Sequence, residues 1–111
     1  SDALIYRLLF NLTENAVKYN RPGGSVQVTV TQEPEKILIR VSDTGCGIPE
    51  KYQQSIFQPF FRVDKSRSRE YGGTGLGLSL VWEIADLHGG SVWVEKSSDK
   101  GTTIAVDLPV Q

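Results

Sequence analysis

Four stretches of this chain hold side chains that could do chemistry together. The first is Asn11, Asn15 and Lys18. Spacings of four and three put them on one side of a helix. Asn15 falls at the edge of an apolar arc, near the direction of Leu4 and Leu8, so its amide must find a partner. Amide oxygens can ligate Mg2+, an oxygen-seeking ion that binds phosphates and keeps several waters. Lys18 could meet phosphate as a point charge. An amide pair that caps local backbone or faces water fits the same residues equally well. The second stretch is Asp43-Thr44-Gly45-Cys46-Gly47-Ile48-Pro49. A carboxylate closes a strand-like run, and two glycines let the backbone turn tightly and approach a ligand. An ionised carboxylate only accepts hydrogen bonds. Asp43 would therefore suit the exocyclic amino group of adenine and reject guanine, which carries a carbonyl there. An ordinary Asp-Gly turn is the plainer alternative.

The third stretch is Ile56-Phe57-Gln58-Pro59-Phe60-Phe61-Arg62. Three phenylalanines beside a proline need a surface to bury against, and could anchor the charged segment that follows. A satellite core accounts as well for Phe57 and Phe60 singly. The fourth is Gly72-Gly73-Thr74-Gly75-Leu76-Gly77-Leu78. Glycines at a helix start expose backbone N–H groups to an anion, and the helix dipole adds roughly 0.3–1 kcal/mol. A flexible linker would not run straight into an amphipathic helix, so phosphate binding is the better reading. Two rival glycine motifs fail on spacing. Glu50 and Leu80 stand where a dinucleotide fingerprint needs its third glycine, and no G-x-x-x-x-G-K-[ST] occurs.

The elements that must position these stretches follow from periodicity. Residues 3–19 read as a helix with Asp2 as its cap. Leu4, Ile5, Leu8, Leu9, Leu12 and Ala16 form its apolar arc. Arg21-Pro22-Gly23-Gly24 stops it. Val26, Val28 and Val30 alternate with polar residues, which predicts a half-buried strand paired as a hairpin with Ile37 to Val41. Glu50 to Phe57 predicts a short helix, and residues 62–74 a mobile loop longer than a simple connector needs. Leu76 to His88 predicts a largely buried helix, with one stripe of Leu76, Leu80, Ile84 and Leu87 and another of Leu78, Trp82 and Ala85. Gly89-Gly90 ends it. Two more strands close the chain across the Asp99-Lys100-Gly101 turn. The order implies an α+β two-layer sandwich, with helices on one face of a mixed, mostly antiparallel sheet.

Composition narrows the function. At 111 residues the chain is expected to be one domain, 1–111. The net charge of −1 argues against a nucleic-acid partner, which needs a broad basic surface. The lone Cys46 excludes an internal disulfide framework and a cysteine-rich zinc site, and suits a reducing cytoplasm. No apolar run approaches a membrane span, so no direct membrane insertion is expected. The chain opens without Met and almost directly in a helix pattern, as a piece of a longer protein would.

Taken in order, the four stretches resemble the catalytic ATP-binding domain of two-component sensor histidine kinases, of the superfamily shared with gyrase, Hsp90 and MutL. Asn11-Leu12-Thr13-Glu14-Asn15-Ala16-Val17-Lys18-Tyr19 is similar to the N box, and Asp43-Thr44-Gly45-Cys46-Gly47 to the G1 box. Phe57-Gln58-Pro59-Phe60-Phe61-Arg62-Val63-Asp64-Lys65 is similar to the F box, and Gly73-Thr74-Gly75-Leu76-Gly77-Leu78 to the G2 box. The closing Leu87-His88-Gly89-Gly90-Ser91-Val92-Trp93 extends the likeness over nearly the whole chain.

The resemblance implies a Bergerat-type fold binding ATP and Mg2+. It places Asn15 and Asn11 at the metal, with Lys18 and Tyr19 at phosphate and nucleoside. Asp43 would read adenine, aided by Gly47, within the Gly45-to-Ile48 loop. Arg62 and Lys65 would reach the phosphates as a lid at about 62–74 closes. Gly73, Thr74, Gly75, Leu76, Gly77 and Leu78 would line the phosphate end, with N–H groups of Gly75, Gly77 and Leu78 as donors. In hydrolysing relatives the position of Asn11 is a glutamate that activates water; an amide cannot act as that base, which implies slow intrinsic hydrolysis. Glu14 points about 60° away from Asn11 around the helix and reads as solvated.

The nucleophile would come from a dimerisation and histidine-phosphotransfer domain of the same kinase, with a response regulator downstream. His88 lacks the acidic neighbour that follows the family's acceptor histidine and reads instead as a helix C-terminal residue. Departures are Gln58 and Phe61, where Glu and Tyr are frequent, and a first family strand that is not evident. Tyr6, Phe10 and Val17, off the main arc, are left to cover that gap or to contact another domain. Two alternatives stay open: a serine kinase of the anti-sigma-factor type, and a nucleotide-binding interaction module without turnover.

Overall fold

The computed structural model describes residues 2–58 and 77–110. The chain opens with α1 (Asp2–Lys18). Asp2 is the first helical residue rather than the cap ahead of it, and Lys18 the last, so each end carries the charge that complements the helix dipole. Leu8, Leu12 and Ala16 are buried, and Leu4, Ile5 and Leu9 pack against the same core. This is the arc that the periodicity predicts.

Four strands follow: β1 (Val26–Gln32), β2 (Lys36–Asp43), β3 (Ser91–Ser98) and β4 (Gly101–Pro109). They form one sheet in the order β1-β2-β4-β3, and each neighbouring pair is antiparallel. The mixed sheet expected from sequence is therefore purely antiparallel among the described residues. Period-two alternation sends one row of each strand inward. Ile39 faces Val106 and Val41 faces Ile104 in register, and all four are buried under the helices. On the outer face Arg40 Nε donates to both carboxylate oxygens of Glu95 at 2.9 and 3.0 Å, across the intervening β4.

β1 is not half-buried as its alternation predicts. Val28 and Val30 are 45% and 62% exposed. The row points inward, but β1 is an edge strand, and its valines lie past the cover that keeps Ile39 and Val41 of β2 dry.

The second helix, α2 (Gly77–Leu87), lies beside α1 on the same face of the sheet. Its Leu78, Val81, Ile84 and Ala85 join Leu8, Leu12 and Ala16 in one core. The expectation of two buried stripes is too broad: Trp82 is 47% and Leu87 74% exposed. A helix covered by a sheet below and a helix on one flank buries one arc, and the far flank meets water. α2 ends in a Schellman motif, with Gly89 N–H donating to Asp86 O at 3.0 Å and Gly90 N–H to Ala85 O at 2.8 Å. A ring nitrogen of His88 lies 2.7 Å from Ile84 O, which supports its reading as a helix-end residue.

In place of one short helix, residues 50–57 form two 3-10 turns, Glu50–Tyr52 and Ser55–Phe57. Their bonds span three residues (Gln53 N–H to Glu50 O, Gln58 N–H to Ser55 O), as in runs too short to close an α-helical ladder. Ile56 and Phe57 are nevertheless buried, so this segment is tied to the core. No helix among the described residues is long and apolar enough to cross a membrane.

Candidate nucleotide-binding site

The site is built where the end of α1 meets the end of β2. Asn11 and Asn15 lie on one flank of α1, both partly buried, with Lys18 exposed one turn on. Lys18 Nζ sits 5.7 Å from the centroid of the Tyr19 ring, a cation–π distance. Tyr19 still donates its N–H to Asn15 O at 3.1 Å, so it continues the helical path and its position follows that of Asn15.

Asp43 closes β2 on the inward-facing row. One of its oxygens is committed: Oδ1 accepts from Gly45 N–H at 2.9 Å and from Thr102 N–H at 3.2 Å. Among the described residues Oδ2 takes no hydrogen bond, so it keeps its acceptor capacity. The first contact folds the following loop back on the carboxylate. The second ties it to β4, across 59 residues of sequence.

The glycines of this loop let it turn tightly, as expected, and they also let it pack closely. A Cβ on Gly45 would stand 2.6 Å from Tyr19 O, and one on Gly47 2.1 Å from Ser98 O. Gly47 also has φ +83°. What the missing side chains permit is close packing of the loop on the protein's own backbone, at α1 on one side and β3 on the other. Any part these residues take with a ligand is left to backbone groups. Ile48 packs against the core and donates its N–H to Ser97 Oγ at 2.7 Å, which anchors the far end of the loop.

The structure thus packs the second stretch on Tyr19 and Asn20, directly after the first. Of the fourth it describes Gly77 and Leu78: Gly77 opens α2 with no atom of the other described residues, its own helix backbone aside, within 4 Å of a Cβ placed there, and Leu78 shares the core with Leu12 and Ala16. Arg62, Lys65, Gly73, Thr74, Gly75 and Leu76, with Phe60, Phe61 and the expected lid at 62–74, lie outside the described residues. No group of three His, Cys, Asp or Glu side chains gathers among the described residues.

Sequence reasoning missed the supports. Asn20 Oδ1 accepts from Thr44 Oγ1 at 3.0 Å and from Arg21 N–H at 2.9 Å, and Asn20 Nδ2 donates to Ser25 O at 2.8 Å. Arg21 Nη2 donates to Gly45 O at 2.9 Å. Ser97 Oγ, already holding Ile48, lies 2.8 Å from Thr102 Oγ1. Arg21 reads in sequence only as the start of a turn, and Ser97 and Thr102 as ordinary strand residues; nothing local marks them.

Comparison with known proteins meets this geometry. The family model for histidine kinase-, DNA gyrase B- and HSP90-like ATPases matches residues 1–111. The chain belongs to that family. Among curated relatives of this ATPase domain, the sensor histidine kinase WalK of Bacillus subtilis is 45% identical over 95% of the chain. The chain spans 18% of that protein's length. Among solved structures, the mycobacterial sensor histidine kinase MprB overlays with a TM-score of 0.84 at 33% identity, over 98% of this chain and 74% of that one. Full-length ShkA, solved in complex with AMPPNP, overlays with a TM-score of 0.81 at 27% identity, over 96% of this chain and 21% of that one. The ATPase domain described here therefore has the two-layer fold of the histidine kinase catalytic domains, and the relatives named above are sensor histidine kinases.

Proposed function

We propose that this chain holds Mg-ATP and donates the γ-phosphoryl group to a histidine on the dimerisation domain of the same sensor kinase, with a response regulator receiving the phosphoryl group afterwards. The observation that carries this reading is the Asp43 carboxylate, with one oxygen bound twice by backbone and the other taking no bond among the described residues, in a loop packed on Tyr19 and Asn20 at the exit of the helix that carries Asn11 and Asn15. Residues 1–111 act as one catalytic domain on the cytoplasmic side, with 62–74 as its lid.

Asp43 orients the purine, and Tyr19 and Lys18 follow toward the sugar and phosphates. Asn11 and Asn15 fit Mg2+ as partly buried hard oxygen donors on one helix flank. Bound there with phosphate oxygens, the ion supplies charge neutralisation for phosphoryl transfer. Gly75, Gly77 and Leu78 offer N–H groups to phosphate, and Arg62 and Lys65 add positive charge. An amide at position 11 cannot take a proton from water, so ATP is kept for an imidazole from outside.

The test is transfer of labelled γ-phosphate to a supplied dimerisation domain. The expected product is acid-labile and base-stable, as a phosphoramidate is, and forms much faster than free phosphate appears without acceptor. An acid-stable phosphoester would point to the serine kinase. Tight ATP binding with no transfer to any acceptor would point to the interaction module.

The acceptor must come within reach of a phosphate held near Asn11, and one surface there is apolar. Tyr6 and Phe10 are 71% and 52% exposed, their rings stacked with centroids 6.4 Å apart. With Ala3, Arg7 and Asn11 they line an open groove of about 550 Å³. We assign it to the acceptor-bearing helix, because only that partner has to touch Asn11's neighbourhood. Phe10→Asp is expected to cut phosphotransfer at least tenfold, since desolvating a charge in an apolar contact costs more than about 1.4 kcal/mol, while ATP affinity stays within twofold. A parallel loss of ATP affinity would count against the assignment.

A further inference from the structure

Gly45 sits at the turn that aims Asp43, and a glycine's peptide planes rotate more freely than those of any other residue. Here both planes are held. On one side Gly45 N–H donates to Asp43 Oδ1 at 2.9 Å. On the other, Gly45 O accepts from Arg21 Nη2 at 2.9 Å. The same nitrogen donates to Asp99 O in the turn between β3 and β4. One charged group thus fastens three elements: the exit of α1, the loop after β2 and the hairpin whose Thr102 N–H also holds Asp43. Bonds on either side complete the seam, with Ser25 N–H donating to Thr44 Oγ1 at 2.9 Å and Thr44 Oγ1 to Asn20 Oδ1 at 3.0 Å.

From this geometry we infer that Arg21 is a positioning residue for base selectivity: by latching Gly45 it pre-aims the Asp43 carboxylate at the amino group of adenine. This rests on the nucleotide reading proposed above. Both of its bonds go to carbonyls at the base end of the site, so its charge serves the loop and not the triphosphate. Without the latch, the loop must be ordered at the moment of binding, and that ordering is subtracted from affinity. The loss falls on ATP, whose binding depends on the aim of Asp43.

The test uses Arg21→Ala, alone and combined with Asp43→Asn. In the nucleotide-free chain, amide hydrogen exchange at Gly45 and Thr102 should quicken about tenfold in Arg21→Ala, while Leu12 and Val81 in the core keep their protection, because Arg21 is exposed and bears no core contact. Mg-ATP affinity should fall about fivefold to tenfold, the cost of ordering the loop at the moment of binding, with Mg-GTP unchanged. The deficit should persist at high salt and vanish in the Asp43→Asn background, since a residue acting through Asp43 has nothing left to aim. Unchanged exchange at Gly45, or an equal loss of ATP affinity with and without Asp43, overturns the proposal. So does a deficit that salt abolishes, which marks direct attraction of the triphosphate. A wild-type chain that binds ATP and GTP alike would remove the adenine role of Asp43, and with it the selectivity assigned to Arg21, while binding neither nucleotide would sink the nucleotide reading itself; in both cases the exchange experiment would still report on the latch.

Discussion

Asp43→Asn should do more than weaken ATP binding: it should turn the base preference toward GTP. The two backbone donors decide this. Gly45 N–H and Thr102 N–H stay where they are, at 2.9 and 3.2 Å from Oδ1, so the new amide must keep its oxygen toward them. Its NH2 then replaces the free carboxylate oxygen and meets the amino group of adenine donor to donor. A hydrogen bond to a charged group contributes about 1.5–3 kcal/mol. ATP affinity should therefore fall roughly tenfold to a hundredfold. Guanine presents a carbonyl at that position, which the amide can now donate to, so GTP affinity should rise or hold. Calorimetric titration of both nucleotides with Mg2+ present decides the matter. An equal loss for the two would remove Asp43 from base recognition.

The second large effect concerns stability. Gly101→Ala should lower the unfolding free energy by roughly 2–6 kcal/mol, the sum of an unfavourable backbone region at about 1–3 kcal/mol and overpacking at about 1–3 kcal/mol. Gly101 has φ +136°, and its added Cβ would stand 1.9 Å from Asp43 O and 2.9 Å from Thr44 Cα. All of those neighbours are backbone, so none can rotate aside. Against a typical domain stability of about 5–15 kcal/mol, this drops the melting temperature by roughly 10 °C or more. Gly23→Ala is the control: φ is +77° there, but among the described residues nothing beyond its chain neighbours lies within 4 Å of its Cβ. It should cost only about 1–2 kcal/mol. Thermal and urea melts of the two variants separate the clash from the backbone strain. Matching losses would mean that β4 yields at Gly101, and that the Asp43 end of the sheet is softer than its packing indicates.

Both predictions centre on one junction, and that junction shows what could and could not be read in advance. The arc of Leu8, Leu12 and Ala16 was legible because helical periodicity is a local property, and burial followed it. The strands of β2 and β4 were legible for the same reason. The exposure of Val28 and Val30 was not, because alternation reports which way a side chain points and not whether anything covers it. Trp82 and Leu87 failed likewise: a hydrophobic residue on a helix is not thereby inside. The glycines of the Asp43 loop were read as letting the backbone turn and approach a ligand; that the carbonyls of Tyr19 and Ser98 also close on them was not legible.

The sequence by itself determined the residue types that could bind a nucleotide (amides and a lysine on one helix flank, a carboxylate ending a strand, glycines opening a helix) and the elements that carry them. Those depend on spacing and on side-chain chemistry, which are written along the chain. Only the tertiary structure decided how the carboxylate is aimed. Its partners are Gly45, Thr102 and, through Gly45, Arg21 and Asp99, brought together across as many as 78 residues by the pairing of β2 with β4. Hydrogen bonds at that separation have no local signature, because they exist only once the sheet has closed.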